Sequence, residues 1–368
     1  MRVLVVNAGS SSLKLSVIDQ DDALLLSENL PSPRGSVSED ELRATMERAG
    51  EIDAVGHRIV HGGSEFVDPV LIDERVLRRL EALSDLAPLH QPKSLHGLEI
   101  VSRLLPKVPA VACFDTAFHA RMPAAASTYA LPPEWRKRWD LRRFGFHGLS
   151  HAYASGRAAE LAGRGREELR IVTCHLGAGA SLAAVAGGVS VDTTMGFTPL
   201  EGLVMATRSG SIDPGLLLWL EEHVGMPPSE LASTLEHRSG LLGLTGSSDM
   251  RAILEAEAAG GSDAALAIEV YLHRLRAGVA TMAAAMDGLD VLVFTGGVGE
   301  RSAPIRERAA HGLSFLGIEL DGAANAAPQL DAEIGAAGAG VRTFVIEARE
   351  DLQIARDVRR VLSGGQRA

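Results

Sequence analysis

Short runs of consecutive apolar residues, each followed by a turn rich in glycine or serine, recur along the chain. The first lies at residues 3–6 and leads through the turn 7–12 into a second, mixed stretch at 13–18, LKLSVI. A strand, a turn and a second strand are predicted, and the first strand, apolar throughout, is expected to be central in its sheet. The same order returns at residues 171–185, around a second turn of Gly and Ala. Two similarly built halves are therefore predicted.

A third apolar run, at residues 291–294, ends in the glycine turn TGGVGE and predicts a strand that leads into a helix. Helix N-termini preceded by glycines bind phosphate through free backbone N–H groups. Helical periodicity predicts a long helix at 264–286, and the Ala/Gly-rich stretch 322–340 is expected to be a surface connection. We therefore expect an α/β fold of two domains, residues 1–150 and 151–349, that face one another across a cleft.

Composition narrows the class of protein. A chain of 368 residues is too long for a single small domain, and its apolar fraction of 46% is ample for the cores of two domains. The net charge of −11 and the absence of a run of Lys or Arg argue against nucleic acid or an anionic membrane as partner. No segment has the length and apolar character of a signal peptide or a membrane span. Cys113 and Cys174 lie in apolar runs and form no disulfide framework, so a reducing cytoplasm is expected.

Arg208 lies in a Gly/Ser-rich loop, TRSGSIDPG, that neither a buried strand nor a helix would favour. A guanidinium is a rigid fork of donors matched to carboxylate and phosphate oxygens, so an arginine between Thr207 and Ser209 suggests a ligand-facing role. The alternative is a solvated arginine in a surface loop.

Several other segments place a cationic or titratable group beside small or aromatic residues, where partial desolvation strengthens its interaction with an anion. They are NAGSSSLK, HRIVHGG, PLHQP, FDTAFH and RFGFHGLSH. A lone histidine in such a segment is more often a satisfied core residue. The chain contains no P-loop, HExxH, GxSxG or dinucleotide fingerprint, so a bound phosphate would be held by several short turns.

These segments belong to a longer ordered set. In order, the chain contains VNAGSSSLK, GHRIVHGG, APLHQP, FDTAFH, RRFGFHGLSH, HLGAGASLAAV, TRSGSIDPG, SGLLGLTGSSDMR, FTGGVGE and EDLQIARD. Together these strings resemble the acetate kinase family over nearly the whole chain. The resemblance implies two related actin-like ATPase (ribonuclease H-like) domains with nucleotide in the cleft, and a C-terminal helix, residues 350–364, that packs back on the first domain. It also implies a homodimer that transfers phosphoryl reversibly between ATP and acetate with Mg²⁺, or Mn²⁺ as an alternative ion.

The resemblance assigns catalytic roles residue by residue. Arg58 and Arg208 match the two arginines that handle the carboxylate and the transferred phosphoryl group. His147 matches a residue that stabilises the transition state, and Asp115 matches the catalytic acid. Acetate is ionised near neutral pH because carboxylic acids titrate at about 4 to 5, so the nucleophile needs no base. We therefore interpret Asp115 as a residue that orients Arg58 or a metal-bound water.

The same resemblance gives the binding positions. The metal positions are Asn7 and Glu350. The substrate positions, which mostly surround the acetate methyl group, are Val60, Leu89, His90, Phe146 and Pro199. The nucleotide and phosphate positions are Ser10, Ser12, Lys14, His175, Leu176, Gly177, Ala178, Gly179, Asp249, Met250, Arg251, Gly297, Val298, Gly299, Glu300 and Arg301.

Four residues depart from the family pattern. Gln91, Ala178 and Arg301 each replace an asparagine, and Ser211 replaces an acidic residue. Two of these lie in the nucleotide segments, so a phosphoryl donor other than ATP is one alternative. A propionate or other short-chain carboxylate kinase is a second. A non-catalytic, actin-like ATP-binding protein is the third, and it would not need the two arginines and the histidine together.

Overall fold

Six-stranded mixed sheets organise the chain, one in each of two units. The computed structural model describes residues 1–8, 12–31, 39–86 and 91–364. Unit 1 contains Met1–Ala120, Phe146–Tyr153 and Arg349–Ala368, and unit 2 contains Arg121–Gly145 and Ala154–Ala348. The first unit thus gathers three separate stretches of sequence, and the last of them carries the C-terminal helix.

The sheet of unit 1 combines an antiparallel meander with parallel strands. Its strands are β1 Val3–Ala8, β2 Ser12–Ile18, β3 Leu24–Pro31, β4 Ala54–Ile59, β5 Val70–Leu71 and β6 Ala110–Phe114. They follow the order β3-β2-β1-β4-β6-β5, and β4 pairs parallel with both β1 and β6. The carboxyl ends of β1, β4 and β6 therefore meet at one edge of the sheet, where ligands bind in open α/β sheets.

Unit 2 repeats this arrangement. Its strands are β7 Arg170–Leu176, β8 Ala180–Ala186, β9 Val189–Thr193, β10 Val291–Thr295, β11 Ala332–Glu333 and β12 Arg342–Val345. They follow the order β9-β8-β7-β10-β12-β11, in which β10 pairs parallel with both β7 and β12. Strand for strand this is the order of unit 1, which confirms the prediction of two similarly built α/β halves.

Helices connect the strands of both units. Their bounds are α1 Glu39–Ala49, α2 Glu74–Ala82, α3 Gln91–Leu104, α4 Ala124–Ser127, α5 Pro133–Trp139, α6 Gly148–Ala162, α7 Pro214–Trp219, α8 Pro228–His237, α9 Gly240–Thr245, α10 Met250–Ala258, α11 Ser262–Ala284, α12 Gly296–Arg301, α13 Ala303–His311, α14 Gly322–Ala326 and α15 Glu350–Leu362. The stretch 322–340, expected as a surface connection, contains α14 and β11. Its residues are exposed or half-buried except Asn325 and Ile334, and Oδ1 of the buried Asn325 accepts from Nε of Arg306 at 2.8 Å. No helix in the described ranges combines the length and the apolar character needed to cross a bilayer.

Helices cover both faces of the unit 1 sheet, as the alternation of side chains along β4 shows. Val55 lies in the core cluster that contains Ile100 and Val101 of α3. The next residue, Gly56, faces the opposite way. A Cβ atom there would overlap Cγ2 of Ile354 on α15. Glycine thus allows α15 to lie directly on β4.

Candidate functional site

Arg58 is fixed at the carboxyl ends of the parallel strands of unit 1. It lies on β4, and Asp115 follows β6, where its N–H donates to the carbonyl of Ile59 at 3.0 Å. Asp115 accepts twice from the guanidinium, at Oδ1 from Nε (2.9 Å) and at Oδ2 from Nη2 (2.5 Å). Nη1 donates to Oδ1 of Asn7, near the end of β1, at 3.0 Å. This bidentate pairing fixes the plane of the guanidinium.

A second carboxylate, Glu350, stands at the first residue of α15 and approaches the same guanidinium. Nδ2 of Asn7 donates to Oε2 of Glu350 at 3.2 Å, and that oxygen lies 3.8 Å from Nε of Arg58. Burial disfavours the charge of Arg58, but the negative charges of Asp115 and Glu350 outweigh it and raise the pKa of the arginine. Burial raises the pKa of Asp115, and Arg58 opposes that shift. One cation therefore faces two carboxylates.

The oxygens of Asn7 and Glu350, with those of Asp115 nearby, are the ligand type that Mg²⁺ prefers. In the part of the chain that the structure describes, no group of three or more His, Cys, Asp or Glu side chains forms a metal site by itself. Mg²⁺ is commonly held by one or two carboxylates together with water and substrate phosphates. The residues present thus fit an ion that arrives with a nucleotide.

His147 has a left-handed backbone conformation, with φ at +56°, immediately before α6 begins at Gly148. The N–H of Gly148 donates to the carbonyl of Asp115 at 2.8 Å. A Cβ atom at position 148 would overlap that carbonyl, so this approach requires glycine. Non-glycine residues held at such angles cost about 1–3 kcal/mol each and cluster at active sites. The strain marks His147 as a functional candidate adjacent to Asp115.

The other positions predicted in unit 1 lie around this edge of the sheet. Phe146 is almost fully buried, and Val60 is half-buried directly after β4. Ser12 begins β2, and Lys14 on the same strand is exposed and stands opposite Asn7. The predicted residues that lie outside the described ranges are Ser10, Leu89 and His90.

In unit 2, Arg208 is a half-buried guanidinium whose partners are all neutral. Its Nη1 donates to the carbonyl of Pro199 at 2.7 Å and lies 3.6 Å from the sulfur of Met205. Within the described ranges no carboxylate forms an ion pair with it. Burial lowers the pKa of Arg208, and the charge of Glu236 opposes only part of that shift. A desolvated arginine of this kind gains most from an incoming anion.

The backbone around Arg208 is rigid although it is irregular. The N–H of Met205 donates to the carbonyl of Arg208, and the N–H of Ser209 donates to Leu235, both at 3.1 Å. Gly240, with φ at +62°, packs so closely that a Cβ atom would lie 2.6 Å from the carbonyl oxygen of Arg208. The arginine therefore extends from a fixed base.

A cluster without any local sequence signal holds the segment that carries Pro199. Glu201 accepts from Oη of Tyr129 at 2.8 Å and from Nη2 of Arg143 at 2.7 Å. Oη of Tyr129 in turn accepts from the N–H of Phe197 at 2.9 Å. Burial, together with Glu201, raises the pKa of Tyr129 to about 12. The two partners of Glu201 are 72 and 58 residues away in sequence, so no motif could predict the contact.

Two of the predicted nucleotide segments meet at the carboxyl ends of β7 and β10. The turn 177–179 joins β7 to β8, and the N–H of Gly177 donates to the carbonyl of Gly179 at 3.0 Å. α12 follows β10 without a break. Its first residue, Gly296, has φ at +77° and lies against Leu176, where a Cβ atom would be 2.9 Å from the carbonyl oxygen. The residues of these connections include His175, Ala178, Gly297, Val298 and Gly299.

Several other residues predicted to contact nucleotide have partners within the fold. Oε1 of Glu300 accepts from the N–H of Gly296 at 3.1 Å and from that of Ala348 at 2.9 Å. Asp249 caps α10 by accepting from the N–H of Arg251 at 2.9 Å, and Met250 is buried. Exposed guanidinium groups remain at Arg251 and Arg301. The roles of these residues toward a nucleotide stay predictions.

Three comparisons with known proteins agree on one family. The model of the acetokinase family matches residues 36–356. The acetate kinase of Synechococcus sp. (strain JA-2-3B'a(2-13)) is 45% identical over 404 residues, which cover 99% of this chain and 100% of that protein. The crystal structure of Porphyromonas gingivalis acetate kinase is 37% identical with a TM-score of 0.89, and a propionate kinase from Francisella tularensis is 35% identical with a TM-score of 0.90. Each of these two matches covers 98% of this chain and 99% of the other.

Proposed function

Because the chain belongs to the acetokinase family and is a kinase that transfers phosphate to a carboxyl group, we propose that it interconverts ATP and acetate with ADP and acetyl phosphate. The observation that carries this proposal is Arg208, a rigidly based and half-buried guanidinium that has no ion-pair partner in the described ranges. Direct in-line phosphoryl transfer depends on preorganised cations placed where charge spreads over the transferred group. Arg208 has the properties that such a cation needs.

Unit 1 supplies the complementary groups. In this proposal Arg58 orients the carboxylate nucleophile, and His147 joins Arg208 in stabilising the phosphoryl group in the transition state. Acetate needs no general base, and the two contacts between Asp115 and Arg58 are those of an orienting carboxylate. They support a positioning role for Asp115 over the role of a proton donor.

Asn7 and Glu350 would hold Mg²⁺, or Mn²⁺ as an alternative, when it arrives with the nucleotide. A bound ion of this kind neutralises charge on the phosphate oxygens. The chain's own contribution is to place two oxygen ligands beside Arg58 at the edge of the unit 1 sheet.

Trapping of acetyl phosphate as its hydroxamate, in a mixture of acetate, ATP and Mg²⁺, tests the activity. Arg208→Ala should lower kcat/KM by at least about 100-fold, as the loss of a preorganised donor does elsewhere, while thermal unfolding stays close to that of the wild type. Arg208→Lys keeps the charge without the fork and should recover only part of the loss. Arg164→Ala, at an exposed arginine that pairs with the side chain of Glu168 and donates to its carbonyl, is the matched control. Unchanged turnover in Arg208→Ala would refute the mechanism.

A propionate kinase is the second candidate, favoured by the structural similarity to the Francisella tularensis enzyme. One methylene group is worth about 1–3 kcal/mol of discrimination, so propionate should be a poorer substrate than acetate but not an excluded one. Comparing kcat/KM for acetate with kcat/KM for propionate decides which acid is the substrate, and a higher value for propionate would reassign it. Replacing ATP by pyrophosphate or other nucleotides in the same assay tests the donor, since Ala178 and Arg301 alter the nucleotide segments.

We further propose a cytoplasmic homodimer. α7 and the π-helix Leu220–Val224 that continues it expose large apolar side chains to solvent, and exposed patches of this kind mark interfaces. These side chains are Leu216, Leu218, Trp219 and Val224. Light scattering should give twice the chain mass of 38.8 kDa for the wild type and half of that for Leu218→Lys. A monomeric wild type would refute the dimer.

A further inference from the structure

His119 is a fully buried histidine that the mechanism above does not use. It ends the short 3₁₀ turn Ala117–His119 directly after β6. We propose that His119 is a positioning residue that holds His147 in its left-handed conformation through the carbonyl of Phe146. This role rests on the proposed function, which gives His147 its part in phosphoryl transfer.

The contact between His119 and the residue before His147 is direct. Nε2 of His119 lies 3.1 Å from the carbonyl oxygen of Phe146. A carbonyl oxygen can only accept, so Nε2 carries the proton and donates it. That carbonyl belongs to the peptide group whose nitrogen is the backbone nitrogen of His147. The bond therefore fixes the orientation of the peptide plane on the N-terminal side of His147.

A second bond fixes the peptide plane on the other side. The N–H of Gly148 donates to the carbonyl of Asp115 at 2.8 Å. The φ and ψ angles of a residue describe how its two flanking peptide planes are oriented. Together with the bond that the His147 carbonyl accepts from the N–H of His151 at 3.0 Å, these two bonds constrain the conformation of His147. A strained conformation persists only where its surroundings over-determine it. Both bonds come from residues 115–119, the segment whose Asp115 side chain also fixes Arg58.

The surroundings of His119 suit a neutral donor. Burial lowers the pKa of His119 to about 4, although the Phe146 carbonyl opposes the shift. Its ring packs edge-on against Phe118 at 5.5 Å and against His151 at 5.7 Å between ring centres. With its ring fully buried and its Nε2 bonded to the Phe146 carbonyl, His119 is placed to act through the backbone of His147.

The test is a double-mutant cycle in which the rate of hydroxamate formation by the full-length protein is measured. His119→Leu removes the donor, His119→Gln keeps an amide N–H at similar reach, and His147→Ala removes the group that is positioned. His119→Leu should lower kcat by about 10- to 100-fold, the effect of a small misplacement, while KM for acetate and for ATP changes by less than about two-fold. His119→Gln should restore most of the turnover. In the His147→Ala background, His119→Leu should change kcat by less than about two-fold.

Two results would overturn the positioning role. One is wild-type turnover in His119→Leu. The other is a loss in the double variant equal to the product of the two single losses, which would show that His119 acts independently of His147. Should His119→Leu fail to fold, His119→Asn replaces it, because its shorter amide stays polar but falls short of the carbonyl. A wild-type protein that forms no hydroxamate would refute the proposed function itself, so the two failures are distinguishable.

Discussion

Acid should destabilise the folded chain through His57, a buried histidine on β4. Its side chain is 1% exposed, and within the described ranges its Nε2 has no hydrogen-bond partner. Burial lowers the pKa of His57 from 6.5 to about 3. The unfolded chain therefore binds a proton near pH 6.5 that the folded chain does not bind. The free energy of unfolding is highest above pH 6.5 and decreases as the pH falls toward 3.

The size of this effect follows from the two pKa values. At pH 5 the medium is 1.5 units below the pKa of 6.5, so protonation of the unfolded chain lowers the free energy of unfolding by about 2 kcal/mol relative to pH 8. At pH 4 the same group lowers it by about 3 kcal/mol. The value at pH 5 hardly depends on whether the folded pKa is 3 or 4. His119, whose pKa burial lowers to about 4, should add about 2 kcal/mol at pH 5.

Urea denaturation of the wild type and of His57→Leu at pH 8 and pH 5 measures the contribution of this one group, because the other titrating groups cancel in the difference. Between pH 8 and pH 5 the wild type should lose about 2 kcal/mol of unfolding free energy through His57 that the variant does not lose. The unfolding free energy of the variant minus that of the wild type should therefore increase by this amount, whatever its value at pH 8. His311→Leu, at an exposed histidine that stays in solvent on folding, is the matched control and should show no such change. Parallel curves for His57→Leu and the wild type would show that the folded chain accommodates the proton, and the reasoning would be refuted.

Three further changes test the packing around the site. Gly56→Ala should lower the free energy of unfolding by about 1–3 kcal/mol, because the new Cβ overlaps Ile354. Urea denaturation should show that adding Ile354→Ala to this variant recovers part of the loss. Additive losses from the two substitutions would contradict the overlap. Gly148→Ala should abolish hydroxamate formation in a folded protein, because the new Cβ overlaps the carbonyl of Asp115; near-normal turnover would show that this approach is not needed. Asp115→Asn removes one charge from a buried ion pair, so it should destabilise the fold by about 3–5 kcal/mol and raise the Mg²⁺ concentration at half-maximal turnover. Unchanged metal dependence would count against its orienting role.

The strands β1, β7 and β10 were predictable because a strand buried on both faces leaves a local mark, a short and largely apolar run. The same reasoning found the two halves, since each begins with such a run and a small-residue turn. Residues 322–340 lie mostly at the surface as expected, but α14, β11 and the inward contact of Asn325 were not predicted. Asn325 folds inward to meet the donors of Arg306, and alanine and glycine around it carry no sign of that contact.

For the candidate site, too, the sequence predicted some features and not others. Arg58, Asp115 and His147 were identified through resemblance to a family, which supplies positions but no geometry. Their contacts join residues far apart in sequence: Arg58 and Asp115 are separated by 57 positions, and Asn7 and Glu350 by 343. The left-handed angle of His147 has no sequence signal either, because histidine is not a residue that a turn of this kind demands. Such features follow from the tertiary fold alone.

The two units offer different kinds of group to a bound substrate. In unit 1, the carboxylates of Asp115 and Glu350 lie beside the guanidinium of Arg58 and supply oxygens of the kind that a cation prefers. In unit 2, the guanidinium of Arg208 is largely buried, and its hydrogen-bond partners among the described residues are a carbonyl and a thioether, so its loop should attract an anion. Burying Arg208 without an ion-pair partner in the described ranges costs stability in the free protein, and the contacts with Gly240 and Pro199 hold the residue in place despite that cost.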